Sequence, residues 1–371
     1  MSPEPCAPWQ PGKSPAVAKT TAGLCPPSTP QPRRFWVTDG WADRLGEDLR
    51  RGPPPEPSDS IWTRRMGRKA PSMPPLMKPP SLLAAWLAVI LTAHISHSAP
   101  APAAPNYASQ MAAKLEPVRR VVYKTVGTTE LHLDVFVPPE FRATDHRPAW
   151  VTIHGGGWTS GTPRSMYPWA EYCTTLGMVA LSVQYRLHRP GGDVSVFDCV
   201  RDARSALRYI RAHAGELGID PRRIVVNGAS AGGHLAVGTA LFEGLDEAGD
   251  DQTVSCRPDA IVLFSPVIDT STAGYGNAKV GARWRELSPA HQVRAGLPPT
   301  IVFHGTGDTT TPFPGAQRFH EAMLGAGNRC ELVRVESAQH TYMFKDADRY
   351  AETQRQLGSF LAALGFVEFA R

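Results

Sequence analysis

The sequence has no Cys-x-x-Cys pair and no Cys/His cluster at zinc-ligand spacing, which excludes a structural zinc module. It has no apolar run long enough to span a bilayer, for which about 20 residues are needed. The stretch from Leu82 to Ala93 stops at 12. It also lacks an excess of one charge sign where a folded domain is expected. Residues 1–99 carry 12 Lys+Arg against 7 Asp+Glu, which accounts for the whole net charge of +5, and residues 100–371 balance at 27 against 27. A neutral domain leaves no electrostatic footprint for nucleic acid or for a membrane surface. There is no internal repeat.

Proline, by contrast, is abundant and uneven: 18 of 36 prolines fall in the first 80 residues, where no apolar periodicity persists. Residues 1–76 therefore read as a Pro/Arg-rich segment without a core of its own, either upstream sequence read in frame or a disordered extension. From Met77 the chain runs MKPPSLLAAWLAVILTAHISHSAPAPAAP, with one lysine, a short apolar stretch and then small residues between Ser98 and Ala103. That is the pattern of a secretory signal peptide over residues 77–103, implying a secreted or periplasmic protein whose translation starts at Met77, Met66 or Met73. The remaining residues, 104–371, suffice for one large core. Four cysteines fall there, Cys173, Cys199, Cys256 and Cys330. A Cys256–Cys330 disulfide and free buried thiols are both open readings.

Strand-like runs appear at 119–125, 130–137, 149–154, 178–185, 223–228, 260–265, 300–305 and 330–336. The first two alternate polar and apolar residues, as half-exposed antiparallel strands do. The later ones are almost continuously apolar, as parallel strands covered on both faces are. Helical spacing is clearest from Val196 to Leu217, where Val200, Ala203, Leu207, Ile210, Ala214 and Leu217 recur at steps of three and four. Further helices fit 163–176, 231–243, 314–326 and 347–364. The fold class is α/β, an eight-stranded, mainly parallel sheet flanked by helices in a single domain.

In such sheets reactive groups collect beyond the carboxyl ends of the strands. Four strand ends stand out: HGGGW at His154–Trp158, GASAGG at Gly228–Gly233, GTGDTTTP with Asp308, and SAQHTYMF with His340. A serine hydroxyl needs an imidazole to take its proton, and the imidazole needs a carboxylate to fix its tautomer. Gly-x-Ser-x-Gly lets the chain turn sharply from strand to helix with the hydroxyl at the tip, and the order Ser, Asp, His is that of the α/β-hydrolase triad. Amides of Gly155 and Gly156, with that of Ala231 at the head of the next helix, would then serve as oxyanion donors.

These four motifs resemble the esterase/lipase branch of the α/β-hydrolase superfamily. They are close to the hormone-sensitive-lipase-like carboxylesterases and closer still to bacterial feruloyl and acetyl-xylan esterase-like proteins. The resemblance covers about residues 120–365. It implies Ser230 as nucleophile, His340 as general base and acid, Asp308 as orienting acid, and Gly155, Gly156 and Ala231 as oxyanion donors. It implies no metal, no organic cofactor and no stable membrane insertion. The expected partner is a small-molecule or polysaccharide ester, acetyl first and feruloyl second. Ala229 and the GTGD sequence depart from the hormone-sensitive-lipase pattern, and any lid has to come from 187–197 or 267–298.

Rivals exist for each role. Asp269 follows the sixth strand, His304 ends a strand, His234 and His320 lie on expected helices, and His154 is read as shaping its own loop. Trp158, Tyr185 and Arg186 fit either a pocket wall or the core. An arylformamidase, a serine peptidase of this fold and a non-catalytic binding protein remain as alternatives. Oligomeric state is not legible.

Overall fold

In the computed structural model, residues 106–368 are described. The segments 1–76 and 77–103, with their disordered and signal-peptide readings, lie outside the described residues. The strands are β1 (Arg119–Val126), β2 (Thr129–Phe136), β3 (Arg147–Ile153), β4 (Val179–Val183), β5 (Ile219–Ala229), β6 (Ala260–Phe264), β7 (Thr300–Gly305) and β8 (Cys330–Val335). The helices are α1 (Tyr107–Ala112), α2 (Tyr167–Thr175), α3 (Val196–Ala212), α4 (Ala214–Leu217), α5 (Ala231–Leu241), α6 (Asn277–Val280), α7 (Phe313–Gly325) and α8 (Ala347–Ala363).

All eight strands form one sheet in the order β1-β2-β4-β3-β5-β6-β7-β8. The pairs β1–β2 and β2–β4 are antiparallel and the rest are parallel. The expected α/β class and mainly parallel sheet are therefore present. One local expectation fails. β1 is largely exposed, but the second half of β2 is buried, because Phe136 packs under Tyr167 of α2 and Asp134 accepts a hydrogen bond from the Tyr167 hydroxyl at 2.7 Å.

Alternate side chains of the central strands feed two separate cores. Val151, Val226, Leu263 and Val302 pack beneath α3, α5 and α7, while Trp150, Val225, Phe264 and Phe303 pack beneath α2 and α8. Covering both faces is what the continuous apolar runs demand. The order also reverses at β3, so the chain leaves β3 for α2 on one face and leaves β5 for α5 on the other. The loops after these neighbouring strands thus lie side by side at the point where the strand order reverses, the place where reactive groups collect in such sheets.

Two helices differ from the sequence reading. The 163–176 segment opens with a 3-10 turn, Pro163–Met166, before α2, with Pro163 at its first positions. The Val196–Leu217 helix begins at a Ser195–Asp198 capping box but divides at His213, whose ring lies 2.9 Å from the Tyr209 carbonyl before Gly218 ends α4 in a left-handed conformation. All four cysteines are free and buried, so the Cys256–Cys330 disulfide does not form. Burial pushes the Cys330 thiol up to about 12, away from reactive thiolate.

Candidate active site

Ser230 sits between β5 and α5 with φ 54° and ψ −120°, a conformation that costs on the order of 1–3 kcal/mol and persists only where its surroundings impose it. They do so through three backbone bonds. Ser230 N donates to Phe264 O at 2.9 Å, and Ser230 O accepts from Val267 N at 3.0 Å and from His234 N at 3.2 Å. The flanking glycines are sterically required. A Cβ on Gly228 would collide with the Gly232 carbonyl, and one on Gly232 with the carbonyls of Ile153 and His154.

His340 and Asp308 arrive from the ends of β8 and β7. His340 Nε2 lies 3.0 Å from Ser230 Oγ, and His340 Nδ1 lies 2.8 Å from Asp308 Oδ2. A carboxylate only accepts, so Nδ1 carries the proton toward Asp308 and Nε2 is left to accept from the serine hydroxyl. Asp308 is buried, which by itself raises its pKa. The His340 hydrogen bond, the Thr311 amide and the neighbouring imidazoles outweigh that and hold it below the usual carboxylate value.

Thr311, which the sequence reading did not single out, is central to this arrangement. Its hydroxyl donates to Asp308 Oδ2 at 3.0 Å and lies 3.2 Å from His340 Nδ1, while the amides of Thr310 and Thr311 both donate to Asp308 Oδ1 at 2.9 Å. The signal was the run Asp-Thr-Thr-Thr, in which a carboxylate caps the amides two and three residues ahead. Ser265, at the end of β6, was also missed. Its hydroxyl accepts from Thr341 N at 3.1 Å and ties down the residue after His340.

The rivals fall into structural places. Asp269 pairs with Arg318 of α7 and accepts from Ser271 N. His304 is buried with Nε2 2.7 Å from Thr311 O, and burial lowers its pKa. His234 is buried with Nε2 2.7 Å from Leu287 O. His154 stacks on Tyr185 at 4.3 Å, its Nδ1 lies 2.8 Å from Gly155 O, and burial lowers it to about 4. It shapes its own loop. Trp158 and Tyr185 belong to the core, and Arg186 pairs with Asp202 and Glu247.

The glycine loop comes beside Ser230 because the register sets Ile153 against Gly228. A Cβ on Gly155 would stand 3.3 Å from the Ser230 Cβ. Gly155 O is taken by the His154 ring, and Gly156 O accepts from Ser160 N at 3.0 Å and Thr159 N at 3.1 Å. In a trans peptide the N–H points opposite to the C=O, so the amides that follow these carbonyls are turned the other way. Ala231 is the first residue of α5, where amides lack intrahelical partners. Both expected lid segments reach this loop: His188 N donates to Trp158 O at 2.7 Å, and Tyr275 lies 5.7 Å from the Trp158 ring. Among the described residues no His, Cys, Asp or Glu cluster is placed to hold a metal, and no helix is long and apolar enough to cross a membrane.

A serine whose hydroxyl meets a carboxylate-oriented imidazole, beside a glycine-rich loop and the first amides of a helix, can add to a carbonyl and has backbone donors nearby for the resulting oxyanion. Known proteins with this architecture are similar in sequence as well. Esterase 2 of Thermogutta terrifontis, in its apo form, is 42% identical with a TM-score of 0.64, covering 68% of this chain and 96% of that one. A probable carboxylic ester hydrolase of Mycobacterium tuberculosis, LipM, is 27% identical over 62% of this chain and 58% of its own length. Carboxylesterase NlhH of the same organism is 29% identical over 62% of this chain and 77% of its own. The chain spans about half the length of the first curated relatives it matches, 58% and 48%. Residues 133–323, more than half of the 371, match the BD-FAE family model and include both the glycine loop and the serine turn. On that match, together with the shared fold, the chain belongs to the BD-FAE family of α/β-hydrolases.

Proposed function

We propose that the chain is a serine carboxylic-ester hydrolase that works through an acyl-enzyme. The observation that carries this is the alignment of Ser230 Oγ, His340 and Asp308 at 3.0 and 2.8 Å beside the glycine loop. Ser230 Oγ adds to the ester carbonyl as His340 Nε2 takes its proton. The amides of Gly155, Gly156 and Ala231 receive the oxyanion, a contribution of about 100- to 1000-fold per donor in turnover. His340 then passes the proton to the departing alcohol, leaving the acyl group on Ser230. Water, deprotonated by the same imidazole, adds to the acyl carbonyl, and collapse releases the acid and restores the serine.

The substrate we propose is a short acyl ester of a carbohydrate or other small alcohol, acetyl first and feruloyl second, met outside the cytoplasm after cleavage of the 77–103 segment. The Thermogutta esterase was solved with propionate and with butyrate bound, which supports a short acyl group. Hydrolysis of p-nitrophenyl acetate, butyrate and octanoate and of methyl ferulate, by the wild type and by Ser230→Ala, tests the reading. The expected outcome is turnover of the acetyl or feruloyl esters by the wild type and none by the variant. Turnover of none of these esters by the wild type, or equal turnover by both proteins, overturns it.

A further inference from the structure

The carbonyls of the glycine loop are held in two ways. Gly155 O and Gly156 O find partners within the loop, in His154 and in Thr159 and Ser160. Gly157 O does not. Its partner is Lys279, 122 residues later on α6, whose Nζ donates at 3.1 Å. The same ammonium donates to the Tyr275 hydroxyl at 3.1 Å and stands 5.0 Å from the centre of the Tyr275 ring.

The fit between the two segments is tight on both sides. A Cβ on Gly157 would strike the Tyr275 hydroxyl and approach Lys279 Nζ to 3.0 Å, and a Cβ on Gly276 would strike the Trp158 ring. The segment carrying Lys279 is itself fixed. Tyr275 N donates to Asp269 O at 2.8 Å, Asn277 Nδ2 donates to Thr270 O at 3.0 Å, and Asp269 is anchored to Arg318 of α7. Gly156 and Gly157 reach φ values of 114° and 60° without steric cost, but Trp158 after them takes φ 64°. A non-glycine residue in that region holds only when its neighbours over-determine it.

We infer that Lys279, aligned by Tyr275, is a positioning residue that fixes the Gly157 carbonyl and so the orientation of the glycine-loop amides beside Ser230. This rests on the ester-hydrolase reading above. Gly156 O is held by Thr159 N and Ser160 N and Gly157 O by Lys279, so the two consecutive peptide planes that meet at Gly157 are each anchored, and releasing Lys279 frees the torsions between them. Misaligned donors weaken binding of the oxyanion and leave ground-state binding of the ester largely intact, so the effect falls on kcat.

Steady-state kinetics on p-nitrophenyl acetate, with melting temperatures, test this in the wild type, Lys279→Met, Lys279→Arg and Tyr275→Phe. Lys279→Met is expected to lower kcat roughly 10- to 100-fold with KM changed less than about threefold. Affinity for a trifluoromethyl ketone is expected to fall in parallel with kcat. Lys279→Arg should recover part of the loss, and Tyr275→Phe should lose less than Lys279→Met. A Lys279→Met protein with kcat within twofold of wild type, or with its loss confined to KM, overturns the inference and leaves the ester-hydrolase reading standing. If Lys279→Met does not fold, an unchanged kcat in both folded variants overturns it equally. A wild type that turns over no ester removes the reading and the inference together.

Discussion

Asp308 Oδ2 accepts from two side chains at once, His340 Nδ1 at 2.8 Å and the Thr311 hydroxyl at 3.0 Å, and the same hydroxyl lies 3.3 Å from Ser265 O. Thr311 is buried, so its methyl packs while its oxygen holds the carboxylate in line with the imidazole. Thr311→Val keeps the shape and deletes that oxygen. A hydrogen bond to a charged group contributes about 1.5–3 kcal/mol, so the variant is expected to melt at a lower temperature and to lose roughly tenfold in kcat, with Thr311→Ser restoring most of both. Wild-type kinetics and melting in Thr311→Val would show that Asp308 is positioned by its backbone contacts alone. Which oxygen Thr311 would find was not legible from the sequence, although the turn-forming run after Asp308 was. Lys279 gave no local signal at all, because its partner is 122 residues away.

At the level of elements, the legible parts were those whose pattern is local. The short apolar runs marked β3, β4, β6 and β7, and the glycines marked the turns that follow β3 and β5. The start of β5 was hidden. Ile219 pairs with Arg147 across a register shift, and Pro221 within the stretch argues against a strand. The break in the 196–217 helix was hidden as well, since apolar spacing continues through Ala214 and Leu217 while the backbone leaves helical dihedrals at His213, at φ −101° and ψ 24°. The α5–β3 junction yields a prediction at this scale. Gly232 lies against the last carbonyls of β3, so Gly232→Ala has to push α5 away from the glycine loop. Overpacking of this kind costs about 1–3 kcal/mol, and it should remove ester hydrolysis out of proportion to the fall in melting temperature. A Gly232→Ala protein with near-normal turnover would contradict the close packing of serine turn and loop.

The molecule as a whole carries buried neutral imidazoles, and these set its response to acid. Burial lowers His154 and His234 from the ordinary 6.5 to about 4. Between those values the unfolded chain binds more protons than the folded one. Their contribution is thus complete above about pH 6.5 and is lost as pH falls toward 4, on the order of 3 kcal/mol each across that window. Asp308, held below the usual carboxylate value, adds a further loss at lower pH. Urea midpoints measured from pH 7 to pH 4 should fall steadily, and His234→Asn should flatten part of the slope. A midpoint independent of pH over that range would mean that these imidazoles are not buried in the neutral form.

The central claim, that Ser230 is the single nucleophile of this fold, is tested most directly by titration with paraoxon, an agent that phosphorylates the related Thermogutta esterase. Attack by Ser230 Oγ on phosphorus forms an O–P bond and expels p-nitrophenolate. The account predicts one p-nitrophenol released per chain, a diethylphosphoryl group on the peptide containing Ser230, loss of ester hydrolysis in step with labelling, and no labelling of Ser230→Ala. Ester hydrolysis that survives complete treatment, or a label on another residue that appears equally in Ser230→Ala, would contradict it.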